Sequence, residues 1–345
     1  MNKTITCLLA TLFTFTHILA QTDADGVRTW DGGGQMQADI CVYGATSGGI
    51  TAALTAKRMG KSVILIEPSR RIGGLTAGGL GKTDVGRVEI IQGLAMDFYR
   101  RVGTIYGKAD AVFDFEPKVA LAAFEQMLRE DNLPVQMERR VIKVKKKGNR
   151  LREIVLEDAS QRHRKPLRIE AREFIDCSYE GDLMARAGVS YTVGREPNSQ
   201  YGETYNGMQM LDKHQFPDGV DPYREKGNPE SGLLWGIMKG DMGKTGEGDK
   251  RVQAYNFRIT MTNDPHNRIP ITRPENYDST RYELLVRWKE TDPWRSDKLR
   301  DCFAWDLMTN PTKTDINNNQ AFSTDMIGYS CLLYTSPSPR DYAAS

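Results

Sequence analysis

The sequence is poor in the residues that build metal centres and disulfide frameworks. It has five cysteines and four histidines in 345 residues. No two cysteines show C-x-x-C spacing, and Cys41 and Cys177 lie within apolar runs, which favours buried, unpaired thiols. We therefore expect no zinc or histidine-based metal site and no disulfide scaffold.

Long hydrophobic runs and an excess of one charge are also lacking. Beyond residue 20 no run approaches the ~20 apolar residues of a membrane-spanning helix. The 47 basic and 45 acidic side chains leave a net charge of +2, which gives no overall attraction to nucleic acid. Residues 139–172 hold 13 basic and 4 acidic side chains, but these alternate with apolar residues as on a solvated sheet face. We expect no nucleic-acid partner and no membrane span after residue 20.

The two ends of the chain have a different character from the rest. Residues 1–20 combine Lys3, an apolar stretch and a small residue before Gln21, which predicts a cleaved signal peptide and an exported, periplasmic or secreted protein. A membrane anchor is the alternative. Residues 331–345 resemble a translated transposase sequencing adapter, with a native Ser/Pro-rich tail as the alternative.

The N-terminal part predicts a βαβ unit of a parallel sheet. Strand-like residues Ala38–Tyr43 precede a helical pattern over Ser47–Met59, and a second strand-like run, Ser62–Ile66, follows. Between the first strand and the helix lies the glycine-rich turn Gly44–Gly49. Such a turn predicts a dinucleotide site, with N–H groups at the helix start facing a pyrophosphate. A βαβ turn without a ligand is the alternative.

Two further residues support a dinucleotide site. Thr46 replaces the middle glycine of G-x-G-x-x-G, which keeps the backbone further from phosphate but adds a hydroxyl donor. Glu67 ends the second strand, where an acceptor for the ribose hydroxyls belongs. No second fingerprint follows for a nicotinamide cofactor.

Helices and strands then alternate in blocks. A glycine-rich loop spans 72–81, helices are expected at 91–102 and 117–130, and residues 194–248 read as long loops before a strand-like run at 252–261 and a helix at 280–289. A turn at Gly148-Asn149 predicts a hairpin. The intervening strands are expected at 135–138, 141–145, 150–156, 167–169 and 173–177.

A family resemblance rests on these motifs. Residues 67–74 read E-x-x-x-R-x-G-G, which resembles the extended signature of FAD-binding oxidoreductases of the glutathione-reductase-like fold. Residues 38 to about 330 resemble exported bacterial FAD-dependent oxidoreductases, some of whose relatives are named xanthan-lyase-like. The motifs that carry the resemblance are Gly44–Gly49, Ile72–Leu80, Phe115–Pro117, Ile175–Asp182 and Ala254–Arg258.

The resemblance implies an α/β fold with a Rossmann-like FAD/NAD(P)-binding domain, a parallel sheet and a β-meander. The implied division is a linker at 21–37, the FAD-binding domain at 38–193 and an incomplete substrate domain at 194–330. Val141 would meet the adenine, and residues 74–76 would run toward the flavin. The fingerprint and the resemblance together predict these cofactor-binding residues: Gly44, Thr46, Ser47, Gly48, Gly49, Glu67, Arg71, Gly73, Gly74, Leu75, Thr76 and Val141.

The catalytic residues are open at this point. Candidates for a base are His214, Tyr255 and His266, and Arg258 is a candidate for orienting the substrate, but solvated loop histidines and a core tyrosine explain the same positions. The resemblance implies hydride transfer from a small polar substrate, such as a sugar derivative, to FAD. A lyase-like carbohydrate protein without redox chemistry and an inert flavin-binding module are the alternatives. Because no C-terminal segment returns toward the flavin before residue 330, we expect this chain to bind FAD weakly and to be inactive.

Overall fold

The structure is a computed structural model. It describes residues 33–160, 164–210, 216–240, 243–252, 255–292 and 303–318, with short strands at 21–22, 28–29 and 325–326. The predicted signal peptide, the 331–345 segment and His214 lie outside these residues. Within the described part, no helix has the length and apolarity needed to cross a membrane.

Fifteen strands and seven α-helices are described. The strands are β1 (Gln21–Thr22), β2 (Arg28–Thr29), β3 (Gly34–Tyr43), β4 (Val63–Glu67), β5 (Val135–Met137), β6 (Arg139–Lys147), β7 (Arg150–Asp158), β8 (Leu167–Asp176), β9 (Tyr223–Glu225), β10 (Asn228–Leu233), β11 (Tyr255–Asn256), β12 (Ile259–Thr262), β13 (Phe303–Leu307), β14 (Lys313–Asn318) and β15 (Asp325–Met326). The helices are α1 (Ser47–Arg58), α2 (Gly74–Gly78), α3 (Gly93–Ile105), α4 (Pro117–Glu130), α5 (Asp182–Arg186), α6 (Asn198–Tyr201) and α7 (Glu283–Thr291).

The main sheet has six strands in the order β5-β4-β3-β8-β7-β6. Strands β5, β4, β3 and β8 run parallel, whereas β7 and β6 continue the sheet as an antiparallel meander. Residues 40–43 of β3 and residues 63–66 of β4 are continuous apolar runs, as is typical of parallel strands that are covered on both faces. The predicted α/β class, the parallel sheet and the meander are confirmed.

Two hydrophobic clusters cover the two faces of the parallel strands. On one face Val42, Leu65 and Val135 pack with apolar residues of α1, α3 and α4. On the other face Tyr43 and Ile66 pack with Val141, Ile154 and Leu156 of the meander. Since side chains alternate along a strand, neighbouring residues of β3 and β4 serve opposite cores.

The meander curls back over the parallel strands. Strands β3 and β6 are separated by two strands within the sheet, yet the Val141 N–H donates to the Tyr43 hydroxyl at 3.3 Å. The predicted hairpin between β6 and β7 is confirmed, with Lys147 paired to Arg150. In the basic segment Arg140, Lys143 and residues 145–147 of β6 are exposed, as expected of a solvated face. Arg139 is the exception, because it is fully buried.

Three predicted elements differ from the structure. Residues 167–169 and 173–177 form one strand, β8, because Leu167, Ile169 and Ala171 are all buried on one face and β8 pairs with β3 along its length. The glycine-rich loop contains the short helix α2, and the long-loop region contains the paired strands β9 and β10.

A smaller sheet forms beyond the main one, with the order β12-β14-β13. It contacts the first half of the chain through Thr309, whose N–H donates to the Asp114 carbonyl at 3.3 Å. The predicted strand at 252–261 is divided into β11 and β12, and the predicted helix at 280–289 is a 3₁₀ turn at 279–282 followed by α7.

Candidate functional site

The glycine-rich turn, Glu67 and the residues after β8 lie at one edge of the main sheet. Strands β3, β4 and β8 are parallel neighbours and end at Tyr43, Glu67 and Asp176. Ligands of open α/β sheets bind at this carboxyl edge. We call the space between the turns at this edge the nucleotide groove, bounded by residues 44–49, 67–76 and 176–182.

The fingerprint turn is tight enough to require glycine at two positions. Gly44 has a φ of +96°, and a Cβ there would lie 2.7 Å from the Ser178 nitrogen and 2.8 Å from the Cys177 carbonyl carbon. A Cβ on Gly49 would lie 1.8 Å from the Gly44 carbonyl oxygen. Gly44 therefore lets the chain that follows β8 pass close by, and Gly49 lets α1 pack onto the turn.

Thr46 caps helix α1. Its hydroxyl accepts from the Gly49 N–H at 3.2 Å and donates to the Cys177 carbonyl at 3.0 Å. In the structure the proton of this hydroxyl is directed at Cys177 and the Gly49 N–H is engaged as well. A contact of Thr46 with phosphate stays a prediction. No described residue accepts a hydrogen bond from the N–H of Ser47 or Gly48, so these two amides are the donors that α1 offers to an anion.

Glu67 is a buried carboxylate that joins two turns of the groove. It is 6% exposed, and its oxygens accept from the Ala45 N–H at 2.9 Å and the Ser69 N–H at 2.8 Å. The ribose contact of Glu67 stays a prediction.

The second glycine loop is bonded directly to the fingerprint. The Gly73 N–H donates to the Ala45 carbonyl at 2.7 Å, and Gly73 itself adopts a φ of +86° before α2. Leu75 is 48% exposed, Thr76 is half-buried, and the Arg71 side chain is exposed at the rim. The structure therefore brings residues 71–76 beside the α1 N-terminus, as the sequence predicts.

The turn after β8 completes the groove. The Asp176 carboxylate accepts from the Ser178 N–H at 2.9 Å and from the Met184 N–H at 2.8 Å, which fixes the path from β8 into α5. Burial, with the neighbouring Asp176 carboxylate, raises the pKa of Asp182. Burial likewise raises the pKa of the Cys177 thiol, so this cysteine is poorly suited to act as a nucleophile.

Tyr179 makes a contact in this site that the sequence did not predict. Its hydroxyl accepts from the Leu75 N–H at 2.6 Å, although the side chain is 55% exposed. The available signal was its position within the Ile175–Asp182 motif, but the contact itself joins residues 104 positions apart.

Val141 lies behind the groove, fully buried on β6. Its N–H is bonded to the Tyr43 hydroxyl, as described above. A backbone contact of Val141 with adenine would therefore use its carbonyl oxygen or compete with Tyr43, and the adenine contact stays a prediction.

Of the four catalytic candidates, only Arg258 and His266 have described side chains, and the structure shows no contact between these two. Arg258 lies beside the glycine-rich loop, with its Cβ 3.0 Å from the position a Cβ on Gly79 would take, and its guanidinium pairs with the fully buried Asp315 carboxylate. His266 is exposed in the loop after β12, whereas Arg258 directly precedes that strand. His214 and the side chain of Tyr255 lie outside the described part.

Residues 39–338 match the model of a family described as FAD dependent oxidoreductase. The chain belongs to this family. The match reaches into the 331–345 segment, whose origin as an adapter stays a prediction. No curated protein matches the chain.

Solved flavoprotein structures are similar to part of the chain. They include a flavin monooxygenase from Stenotrophomonas maltophilia, with 22% identity, TM-score 0.29 and coverage of 41% of this chain and 37% of that chain. A flavoprotein/dehydrogenase from Cytophaga hutchinsonii has 16% identity, TM-score 0.35 and coverage of 46% and 44%. A 3-ketosteroid-Δ4-(5α)-dehydrogenase from Rhodococcus jostii has 14% identity, TM-score 0.29 and coverage of 46% and 48%. The chain spans less than half the length of each of these proteins.

The family is an FAD family, and the groove fits that cofactor. A diphosphate needs N–H donors, which Ser47 and Gly48 supply at the α1 N-terminus. An adenosine ribose needs an acceptor, and the Glu67 carboxylate at the end of β4 lies where the sequence predicts that acceptor. The sheet with its meander is thus a Rossmann-like FAD-binding domain, and FAD is its cofactor.

Proposed function

We propose that the chain is an exported FAD-dependent oxidoreductase that takes a hydride from a small polar substrate, with a sugar derivative as the substrate class. The observation that carries the redox proposal is the convergence of the α1 amides, Glu67 and the Gly73–Gly74 turn at one sheet edge, in a chain of an FAD family. When bound, the flavin supplies the hydride acceptor.

The residues of this chain would act by binding and orientation. Ser47 and Gly48 donate to the diphosphate, and Glu67 orients the ribose. Arg258, held by Asp315, lies next to Gly79 and can donate to an oxygen of the substrate.

An open surface depression offers room for a small polar substrate. It follows the glycine-rich loop directly and is lined by residues 82–86, Phe113 and Asp114. The Lys82 ammonium and the Asp114 carboxylate lie 3.6 Å apart there, so donors and acceptors for hydroxyl groups are both present.

A flavin-reduction experiment tests the proposal. The full chain is expressed with its first 20 residues, loaded with excess FAD and mixed anaerobically with sugars, sugar acids and polyols. Loss of the visible flavin absorbance with at least one member of the panel is the result that supports the redox proposal, and it would show that the expectation of an inactive chain is wrong. A chain that remains colourless at any FAD concentration contradicts the redox proposal and favours the lyase-like alternative, whereas a yellow protein that no substrate reduces favours the inert flavin-binding module.

Export has its own test. We expect the secreted or periplasmic product to begin at Gln21, which N-terminal sequencing or intact mass reads directly. Retention of residues 1–20 in a membrane fraction would support the anchor alternative.

A further inference from the structure

Tyr179 connects all three turns of the nucleotide groove. Its backbone follows Cys177 and Ser178, which cross directly over Gly44. Its hydroxyl reaches the other side of the groove and accepts from the Leu75 N–H at 2.6 Å. One side chain thus links the fingerprint turn to the loop that begins α2.

The backbone of Tyr179 is held by its neighbours. Ser178 donates to the Asp176 carboxylate through its N–H at 2.9 Å and its hydroxyl at 2.6 Å. The Asp182 N–H donates to the Ser178 hydroxyl at 3.0 Å. These bonds fix the backbone on both sides of Tyr179, so the Cα of Tyr179 is held in place.

Gly74 is shaped to receive this ring. A Cβ at Gly74 would lie 2.2 Å from the Tyr179 hydroxyl oxygen and 2.9 Å from its Cζ, and Gly74 has a φ of +55°. The side chain of Tyr179 is nevertheless 55% exposed, so burial in a core does not account for its position. Large aromatic rings of this kind, packed on one side and open on the other, supply rigid contact area for ligands.

We infer that Tyr179 is a cofactor-positioning residue. Its hydroxyl holds the Leu75 amide, and with it residues 74–76, in a fixed place beside the fingerprint turn. The family resemblance implies that these residues would run toward the flavin half of FAD. The inference rests on FAD binding in the groove and goes beyond the proposed reaction, because it concerns which half of the cofactor this residue serves.

The binding experiment compares two ligands of the same groove. FAD and AMP are titrated into the full chain, its Tyr179→Phe variant and a control variant, Tyr191→Phe, which changes another exposed tyrosine. Loss of one hydrogen bond predicts FAD affinity about 3- to 10-fold weaker in Tyr179→Phe. AMP lacks the flavin half, so its affinity should stay within about 2-fold. The control should bind both ligands as the wild type does.

A double-mutant cycle tests the contact itself. We expect Gly74→Ala to weaken FAD binding more than Tyr179→Phe, because its Cβ meets the phenol. In a Tyr179→Ala background the same glycine substitution should have a smaller effect, since the clash is removed and only the backbone strain remains.

Hydrogen exchange separates this inference from the proposed function. The Leu75 amide should exchange faster in Tyr179→Phe than in the wild type without FAD. Unchanged Leu75 exchange, additive effects in the cycle, or equal weakening of FAD and AMP binding would each overturn the role of Tyr179. Failure of the wild type to bind FAD at all would instead overturn the proposed function.

Discussion

At the scale of single residues, the groove requires glycine at positions where a Cβ atom would clash with nearby backbone. Gly44 and Gly49 leave room for backbone that passes within the radius of a side chain, and Gly48 faces open space. Two adjacent glycines of one motif therefore have different physical roles, which a substitution pair can separate.

Gly49→Ala should destabilise the fold by about 3 kcal/mol or more, because its Cβ would lie 1.8 Å from the Gly44 carbonyl oxygen. Gly48→Ala is the matched control, since the nearest atom to its Cβ would be the Thr46 hydroxyl at 3.8 Å. Alanine there should leave the free energy of unfolding unchanged or raise it by about 0.5–1 kcal/mol. Urea titration measures both, and equal effects at the two positions would refute the packing argument.

Glu67→Gln should destabilise the protein by about 1–3 kcal/mol, because its amide group would direct a donor at the Ala45 or Ser69 N–H. The same variant should bind AMP more weakly if Glu67 holds the ribose. Urea titration and AMP titration read the two effects separately. Glu89→Gln is the control, because it changes an exposed acid outside the groove and should leave both stability and AMP binding unaltered. If Glu67→Gln behaves like this control, Glu67 neither stabilises the two turns nor binds the ribose.

At the scale of secondary-structure elements, the sequence predicts the regular ones well and the irregular ones poorly. Helix α4 begins at Pro117 and ends at Glu130 as its apolar spacing and N-terminal proline indicate. Helix α2 was missed because five residues with two glycines carry no apolar period. Strand β8 was divided in two because Glu170 and Arg172 on its solvent side interrupt the apolar run, whereas pairing with β3 keeps it continuous.

Contacts between distant elements lay beyond sequence reasoning. The motifs located residues 44–49 and 67–76 correctly, because each is a local turn with its own composition. The Tyr179 contact with Leu75 and the Arg258 pair with Asp315 join residues 104 and 57 positions apart, and no spacing rule relates them.

The connection after β7 should make stability depend on acid pH. Asp158 accepts hydrogen bonds from the Ser160 hydroxyl at 2.6 Å and the Arg164 N–H at 2.8 Å. Burial alone raises the pKa of Asp158, but these bonds outweigh it and hold the pKa well below its usual range. Because the folded pKa is below the unfolded value of about 3.9, ionised Asp158 stabilises the protein above that pH, and this contribution is lost as the pH falls toward the folded pKa.

Comparison of the wild type with Asp158→Asn measures this effect. The difference in unfolding free energy should be constant from neutral pH to about pH 5 and should shrink below it. Ser160→Ala removes one donor and so raises the folded pKa of Asp158. The loss of stability in acid should therefore be smaller and should be complete at a higher pH. A difference that persists unchanged to about pH 3 would contradict the assignment.

At the scale of the whole molecule, the buried Arg258 and Asp315 pair links the smaller sheet to the glycine-rich loop. Asp315 is fully buried and lies on β14. Arg258 precedes β12, and its Cβ lies 3.0 Å from the position that a Cβ on Gly79 would take. A buried ion pair is sensitive to the loss of one partner because the other charge remains in a low-dielectric site.

Asp315→Asn should therefore destabilise the smaller sheet by about 3 kcal/mol and increase hydrogen exchange along β12 and β14. Glu290→Gln, which breaks an exposed pair with Lys226, is the control and should produce no measurable change. Protection of β12 that survives in Asp315→Asn would show that the pair does not hold the sheet.

The parallel pairing of β3 with β8 has a consequence for the order of folding. The partner of Gly34–Tyr43 is Leu167–Asp176, so the fingerprint turn acquires its neighbours Cys177 and Ser178 only after more than a hundred further residues. Such a high contact order slows folding. During synthesis the edge of β3 that pairs with β8 stays exposed until β8 has been made. Nascent chains that stop short of β8 should therefore aggregate and fail to retain a nucleotide. Chains that extend past α5 should stay in solution and retain a nucleotide.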